Sequence, residues 1–329
     1  MIRGATPGDA RAASARFAAV LDQREFRSEL DRLCVCQWHW GAPREVRIQA
    51  LKGHRERCTF EIAVNTEGEW HRVIGKVYEV DHARAFQRRE AVWHAGFGSG
   101  AEFAIPRPLV YLSWWRVLLE EKVEGPSAKE VFLGDSPDEH IATAERCGRW
   151  LARFHTAAPR LGNMVDIRDK FPRFRQWADQ VASFGEPFAS KGELVYRNLE
   201  AAAPAPDTVE YCAGHGSYIP EHVLLSGGRT VTIDLDECDL ADPARDVAWF
   251  IVSLQRLALA HLGSLRALDG PAEHFLRTYD LSDRGGAAAH VPFYRALECL
   301  HRARRDLVKR VPPVPEWAEI MLDEGLRAS

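Results

Sequence analysis

The chain has 329 residues, of which 46% are hydrophobic and 27% are charged, values that are ordinary for a globular protein with a full core. This length suggests about two domains of typical size. The net charge of −4 gives no general attraction to nucleic acid or to acidic lipid, so the composition argues against a nucleic-acid-binding protein.

The sequence shows neither a secretion signal nor a membrane span. The first ten residues contain no apolar core of a signal peptide, and apolar stretches such as residues 247–254 are far shorter than the ~20 residues that cross a bilayer. Seven cysteines, an odd number, indicate reduced thiols, and we expect a cytoplasmic protein. Cys34 and Cys36 form a CxC pair, but no second pair follows at zinc spacing, so two half-buried thiols are the favoured interpretation.

Hydrophobic periodicity predicts helices and then a sheet in the first third of the chain. Residues 9–33 carry apolar side chains at helical spacing, which indicates one or two amphipathic helices. Period-two alternation then predicts strands, and a helix over residues 83–95, capped by Asp81 and ended by Gly96, follows the third of them. The five predicted strands cover residues 45–51, 58–64, 70–80, 109–112 and 115–123.

Helical patterns dominate from Asp138 onward. Helices are predicted over residues 141–157, 247–262 and 291–309, and short apolar strands around Gly and Pro interrupt them over residues 209–240. An antiparallel sheet with one helix, followed by a mostly helical part, is an α+β arrangement. We place the boundary at residue 122, which gives predicted domains of residues 1–122 and 123–329.

A lysine lies inside an apolar strand pattern, in the run Val-Ile-Gly-Lys-Val-Tyr that contains Lys76. Burying an ammonium group without a partner is strongly unfavourable. The next helix offers Glu90 as a carboxylate partner. The alternative interpretation is that Lys76 extends to solvent from an edge strand while Glu90 is solvated.

The segment from Cys212 to Ile251 holds a second concentration of polar residues. Two short apolar strands, joined by a Gly-Gly hairpin, are predicted to bring residues 215–222 close to Asp234. A carboxylate that directly follows an apolar strand is well placed to hold Mg²⁺, which prefers a few carboxylates together with phosphate oxygens.

This segment resembles the catalytic and metal-binding loops of the aminoglycoside phosphotransferase and choline kinase group. That group typically reads His-Gly-Asp, Pro, Asn-Val-Leu, Ile-Asp-Phe and Asp-Pro with a further Asp. The resemblance extends in order over residues 46–252 and includes the strand lysine and the helix glutamate. The matching residues of the segment are His215, Gly216, Pro220, Val223, Leu224, Ile233, Asp234, Asp242, Pro243 and Asp246.

The resemblance implies a two-lobed, protein-kinase-like fold that uses ATP and Mg²⁺. It implies that Lys76 and Glu90 position the nucleotide phosphates, that Asp234 holds the metal, and that His215 shapes the catalytic loop. The Leu-Leu-Glu-Glu-Lys-Val-Glu-Gly segment would be the hinge whose backbone binds adenine, and it includes Glu121 and Val123.

The chain departs from the family pattern at several positions. Ser217 stands where the family keeps its catalytic aspartate, and His222 stands where it keeps a metal-binding asparagine. The phosphate-covering loop has one glycine, but it offers Lys52, Arg55 and Arg57 as charge partners for phosphate. The alternative interpretation is that these basic residues lie on a solvated hairpin.

Three other polar residues are assigned structural roles. His155 is predicted to pack within a helix, while Asp242 and Asp246 are predicted to cap a helix and to brace the catalytic loop.

Three functions fit these observations. The leading hypothesis is an ATP- and Mg²⁺-dependent phosphotransferase that acts on a small-molecule hydroxyl, with Ser217 facing the acceptor. The second is a pseudokinase that binds nucleotide and regulates a partner, because a lost base costs about 10²–10⁴-fold in rate. The third is nucleotidyl transfer.

The acceptor itself cannot be deduced, since acidic and basic residues are both available in the second domain: Asp236, Glu237, Asp239, Glu298, Arg295, Arg302, Arg304 and Arg305.

Overall fold

A computed structural model describes Val20 and residues 23–53, 56–280 and 287–329 of the chain. The chain divides into two compact units, the first ending at Glu124 and the second beginning at Gly125. The predicted N-terminal helices are described from residue 23 onward, apart from Val20, and the rest of that prediction lies outside the described residues.

The first unit contains one five-stranded antiparallel sheet, in the order β1-β2-β3-β6-β5. The strand β4 is a short segment between α2 and β5 and is not part of this sheet. The prediction of five antiparallel strands with one helix after the third is confirmed. The elements, in chain order, are α1 (Arg24–Arg32) with a π-helical turn (Leu33–Gln37), β1 (Pro43–Gly53), β2 (Arg57–Thr66), β3 (Glu69–Tyr78), α2 (Ala83–His94), β4 (Phe103–Ala104), β5 (Pro108–Leu112) and β6 (Val117–Glu121).

One face of this sheet forms the core of the first unit. Every second residue of β2 is buried, as the period-two pattern predicts, and these residues pack with Phe26 and Leu30 of α1. Both α1 side chains are fully buried. Residues that belong to the core face therefore alternate along each strand with residues of a second face. Lys76 of β3 belongs to the second face, since its neighbours Gly75 and Val77 belong to the core face.

The second unit is mostly helical, as predicted. Its helices are α3 (Ala128–Phe132), α4 (Pro137–Ala157), α5 (Phe171–Ala182), α6 (Phe188–Ala202), α7 (Pro243–Leu262), α8 (Asp269–Tyr279), α9 (Ala287–Arg304) with a π-helical turn (Arg305–Lys309), and α10 (Pro315–Ala328). Four short strands lie between α6 and α7: β7 (Cys212–Gly214), β8 (Val223–Ser226), β9 (Arg229–Thr232) and β10 (Asp239–Ala241).

These short strands position the predicted catalytic segment. β7 pairs with β10, and β8 pairs with β9 as an antiparallel hairpin. Short 3₁₀ turns over Pro220–His222 and Leu235–Glu237 follow the two loops that carry the predicted site residues. Asp242 caps α7 by accepting a hydrogen bond from the Ala244 amide, as predicted.

All seven cysteines are free thiols, and only Cys36 is exposed. Across the described parts of the chain, no helix is both long enough and apolar enough to cross a bilayer.

Candidate active site

Lys76 is buried in the centre of the first unit's sheet. Its strand, β3, lies between β2 and β6, and only 7% of its side chain is exposed, so it does not extend to solvent from an edge. Its Nζ lies 3.3 Å from Oε1 of Glu120 on β6. The guanidinium Nε of Arg89, from α2, lies 3.6 Å from the other oxygen of the same carboxylate. Two buried cations therefore share Glu120.

The sequence predicted Glu90 as the partner of Lys76, whereas in the structure Glu120 forms an ion pair with this lysine. The helix α2 buries Arg89, while Glu90 is half-buried. Glu120 is suitable because strand register places it diagonally across from Lys76, with Leu118 directly opposite. A role for Glu90 in binding nucleotide stays a prediction.

Three other predicted nucleotide-binding residues of the first unit, Lys52, Glu121 and Val123, lie at or just beyond the ends of its strands. Lys52 is exposed near the end of β1, and Arg55 lies outside the described residues. Glu121 ends β6, and its carboxylate accepts a hydrogen bond from the Arg107 amide at 3.0 Å. Val123 follows the strand and is half-buried. Their contact with adenine stays a prediction.

In the second unit, a buried carboxylate holds the loop that contains His215, Gly216 and Ser217. The Oδ2 and Oδ1 atoms of Asp246 accept hydrogen bonds from the amides of His215 and Gly216, at 2.6 and 2.9 Å. Gly216 has φ of +80°, and a Cβ there would lie 2.4 Å from the carbonyl oxygen of Glu237. Only glycine fits this position without rearrangement.

Asp246 is also bound by His155 of α4. The Nε2 atom of His155 lies 3.2 Å from Asp246 Oδ2, and its Nδ1 lies 2.7 Å from the hydroxyl of Tyr279. Burial alone would raise the pKa of Asp246, but the hydrogen bond from His155 and the charge of Arg245 outweigh it and lower that pKa. The predicted structural roles of His155 and Asp246 are confirmed.

His215 is fully buried beneath the loop. Burial lowers its pKa to about 4, although the charge of Asp246 opposes this shift. Its Nε2 lies 3.1 Å from the carbonyl of Ile233, and its Nδ1 lies 3.3 Å from the amide of Ser217. These partners assign a neutral ring that donates from Nε2 and accepts at Nδ1.

The loop brings the two predicted metal ligands together. His222 donates from Nδ1 to the carbonyl of Ser217 at 2.9 Å, which turns its Nε2 toward Asp234 Oδ2, 3.6 Å away. Asp234 has φ of +64°, in the left-handed region that non-glycine residues rarely adopt. Strained backbone of this kind is concentrated at functional sites.

Asp234 and His222 offer two side-chain ligands, so a metal ion bound here would take its other ligands from water or from substrate. Among the described residues, no group of three or more His, Cys, Asp or Glu side chains could hold a metal. Mg²⁺ is often held by one or two carboxylates, with water and substrate phosphate completing its shell, and Asp234 fits that pattern. The imidazole of His222 is better suited to later transition metals.

The hydroxyl of Ser217 lies near a buried imidazole ring and a backbone carbonyl. Its Oγ lies 3.5 Å from His215 Nδ1 and 3.4 Å from the carbonyl of Asp234. His215 is a weak base because its pKa is about 4. Glu221, in the 3₁₀ turn that follows this loop, pairs with Lys129 at 3.4 Å.

The first prediction concerns the partner of Lys76. Glu120→Gln should lower the free energy of unfolding by about 3–5 kcal/mol, because it leaves two buried cations without this carboxylate. The matched variant Glu90→Gln should change it by only about 0.5 kcal/mol, because this carboxylate is half-buried and keeps access to water. Urea denaturation measures both, and equal effects would contradict the assignment.

The second prediction is a pH dependence of stability. The pKa of His215 is 6.5 in the unfolded chain and about 4 in the folded chain. As the pH falls, the unfolded chain therefore binds the proton first. The contribution of His215 to the free energy of unfolding is complete above pH 6.5. It decreases by about 1.4 kcal/mol per pH unit down to about pH 4. Denaturation between pH 7 and 4.5 should show a shallower slope for His215→Gln than for wild type, whereas the exposed His94→Gln should keep the wild-type slope. Equal slopes for wild type and His215→Gln would refute the assignment.

Comparisons with known proteins identify the group to which the chain belongs. Three solved structures are similar to it at TM-scores of 0.56, 0.57 and 0.61. The first is a choline/ethanolamine kinase family protein from Mesorhizobium loti, 14% identical, with 92% of this chain and 94% of that chain covered. The second is the aminoglycoside phosphotransferase APH(2'')-Ib bound to ADP, 15% identical, with 93% and 98% covered. The third is a glucosamine kinase, 16% identical, with 84% and 80% covered.

At these identities the likeness shows the fold alone, and the predicted kinase-like fold is confirmed. A search of curated protein sequences finds no significant match. A model of the phosphotransferase enzyme family matches residues 48–290. Because this match spans well over half of the 329 residues, the chain belongs to the phosphotransferase enzyme family.

Proposed function

We propose that the protein is an ATP-dependent phosphotransferase that acts slowly on a hydroxyl group of a small molecule. Lys76, held by Glu120, binds the nucleotide phosphates, and the backbone at Glu121 and Val123 binds adenine. Asp234 holds Mg²⁺ with assistance from His222, and Ser217 faces the acceptor. Lys52 and Arg55 add positive charge to the loop that covers the phosphates.

One observation supports activity above all others: the scaffold of the catalytic loop is intact although the base is missing. Asp246 binds two loop amides and His155, and His222 binds the carbonyl of Ser217. The loop backbone is therefore held in place to receive an acceptor and the nucleotide phosphates, with one side chain changed.

Phosphoryl transfer tolerates the loss of a catalytic base better than most enzymatic reactions do. Phosphoryl transfer passes through a loose transition state, in which positioning and electrostatic stabilisation matter more than removal of the proton. The acceptor O–P bond forms as the bond to the leaving ADP breaks, and the acceptor proton passes to water. A missing base costs about 10²–10⁴-fold in rate, which leaves a slow enzyme.

A similar structure supports the choice of a small-molecule acceptor. The glucosamine kinase was solved with glucosamine, ADP and inorganic phosphate. Transfer of this property to the present chain is part of the proposal, since the two sequences are 16% identical.

A pseudokinase is the second candidate, and specific contacts favour it. His215 has a pKa of about 4 and Glu221 is paired with Lys129, so neither substitutes readily for the absent aspartate. Under this alternative the chain binds nucleotide and acts through a partner.

The third prediction separates the two functions. Purified protein with Mg²⁺ and ATP should release ADP slowly, and Lys76→Met or Asp234→Asn should reduce that rate at least tenfold by removing contacts to the phosphates or the metal. Ser217→Asp should raise the rate by about 10²-fold, since it restores a base. Coupled detection of ADP measures all four proteins.

Two outcomes would contradict the proposal. If ATP binds but neither wild type nor Ser217→Asp releases ADP, the protein is a pseudokinase. If AMP becomes attached to a target and no ADP is released, the reaction is nucleotidyl transfer.

The fourth prediction concerns the metal. Imidazole prefers later transition metals and an amide oxygen prefers Mg²⁺, so His222→Asn should lower the ratio of Co²⁺ to Mg²⁺ affinity by about tenfold. Titration calorimetry in the presence of ADP measures both affinities. The control variant His94→Asn, in the first unit, should keep the wild-type ratio. An unchanged ratio in His222→Asn would show that His222 is not a ligand.

A further inference from the structure

The second unit contains a cavity of about 270 Å³ that begins beside the catalytic loop. Gly216, which directly precedes Ser217, forms part of its wall, and Glu237 of the following turn forms another part. The remaining walls come from the 3₁₀ turn before α5, from α5 itself, from α7 and from α9. Its position beside Ser217 makes it the candidate acceptor site, an assignment that rests on the proposed function.

Part of the cavity wall is flat and apolar. Trp177 of α5 and Trp249 of α7 line it, together with Phe174 and Tyr294. The Trp177 ring stacks on His301 of α9, with centroids 4.8 Å apart and planes 22° apart. Such walls favour a ligand with a ring or another flat apolar part.

Two of the three acidic residues in the cavity are already neutralised by neighbouring cations. Asp239 accepts two hydrogen bonds from Arg245, at 2.9 and 2.6 Å. Glu298 accepts from Arg302 at 2.6 Å and lies 3.0 Å from Nδ1 of His301. The charges of Arg302 and His301 hold the pKa of Glu298 low against the opposing effect of burial, so it stays ionised within this cluster. An incoming ammonium group would compete with these internal cations.

The basic residues of the cavity are paired less completely. Lys170 and Arg173 line it and are exposed, and neither forms an ion pair with a described carboxylate. The guanidinium of Arg173 lies 5.1 Å from the centre of the Trp177 ring. Against these two cations stands one carboxylate outside the ion pairs, that of Glu237, which is exposed.

A third cation lies near these two, although it does not line the cavity. Arg304 lies 5.9 Å from the centre of the same Trp177 ring. Burial lowers the pKa of Arg304, and the positive charges of Arg173 and Arg305 lower it further. The repulsion among these arginines would be relieved by a bound anion.

We infer that the acceptor is an alcohol that carries an anionic group, a carboxylate or a phosphate, beside a ring or another flat apolar part. Lys170 and Arg173 bind the anion at the rim, and Trp177 and Trp249 contact the flat part. The hydroxyl end reaches toward Gly216 and Ser217. A polycationic acceptor is disfavoured, because only the carboxylate of Glu237 is left to receive it.

The test compares four ligands that share a 4-(hydroxymethyl)phenyl core and differ in the charge of the group opposite the hydroxymethyl. These are 4-(hydroxymethyl)benzoate, 4-(hydroxymethyl)benzyl phosphate, 4-(hydroxymethyl)benzylamine and 1,4-benzenedimethanol. Titration calorimetry without nucleotide measures binding to the full-length protein. Either anion should bind at least tenfold more tightly than the amine, a difference of about 1.4 kcal/mol. The tighter of the two anions identifies the preferred group.

Variants assign the preference to named residues. Lys170→Gln with Arg173→Gln should weaken anion binding about tenfold and leave binding of the neutral diol unchanged. Glu237→Gln should strengthen anion binding about threefold, an effect of opposite sign that structural damage would not produce. Arg277→Gln removes an exposed arginine of α8, outside the cavity, and should bind all four ligands as wild type does.

The inference is overturned if the amine or the diol binds as tightly as both anions, or if none of the four ligands binds. Slow ADP release that persists alongside such a result leaves the proposed function standing. Conversely, anion-selective binding in a protein that does not bind ATP would overturn the proposed function and retain the anion site.

Discussion

The carboxylate of Asp246 is the constraint on which the catalytic segment depends. It is buried at the start of α7, and it accepts hydrogen bonds from two successive loop amides and from His155 of α4. A buried charge is tolerated only when its hydrogen bonds are satisfied, so loop, helix and carboxylate stabilise one another. Removing any of the three would leave a buried polar group without its partner.

The first unit depends on a comparable buried cluster, in which two positive side chains share one carboxylate. Lys76, Glu120 and Arg89 are all buried on the face of the sheet opposite the core cluster. The lysine is held between two neighbouring strands and its carboxylate partner lies on one of them. The position of its ammonium group is therefore set by the sheet itself and does not require α2 to supply an acid.

Much of this arrangement could be predicted from sequence, because local patterns report local structure. Period-two alternation predicted the strands, and the resemblance of His215, Asp234 and Asp246 to a known family's motifs predicted the loop and its brace. The partner of Lys76 could not be predicted in this way, since it depends on strand register and on which α2 side chain turns inward. Successive residues of a helix differ by about 100° in direction. A shift of one position therefore decides whether Arg89 or Glu90 is the buried side chain.

The character of the proposed acceptor site was also beyond sequence analysis. Asp239, Glu298 and Arg302 were all visible as charges, and their pairs are local in sequence, Glu298 with Arg302 within α9 and Asp239 with Arg245 of α7. Only the packing of α7 and α9 places both pairs on one cavity. Composition gives the number of charges in a region, whereas selectivity depends on which of them remain available after the internal pairs have formed.

The backbone of Ser217 is fixed by groups that do not involve its own side chain. Its amide faces the His215 ring, and its carbonyl accepts from His222. Because Gly216 and Asp246 fix the preceding residue as well, the identity of the side chain at position 217 is uncoupled from the shape of the loop. During evolution a base could be lost or regained at this position without any compensating change elsewhere, so an active and an inactive lineage could share the same loop geometry.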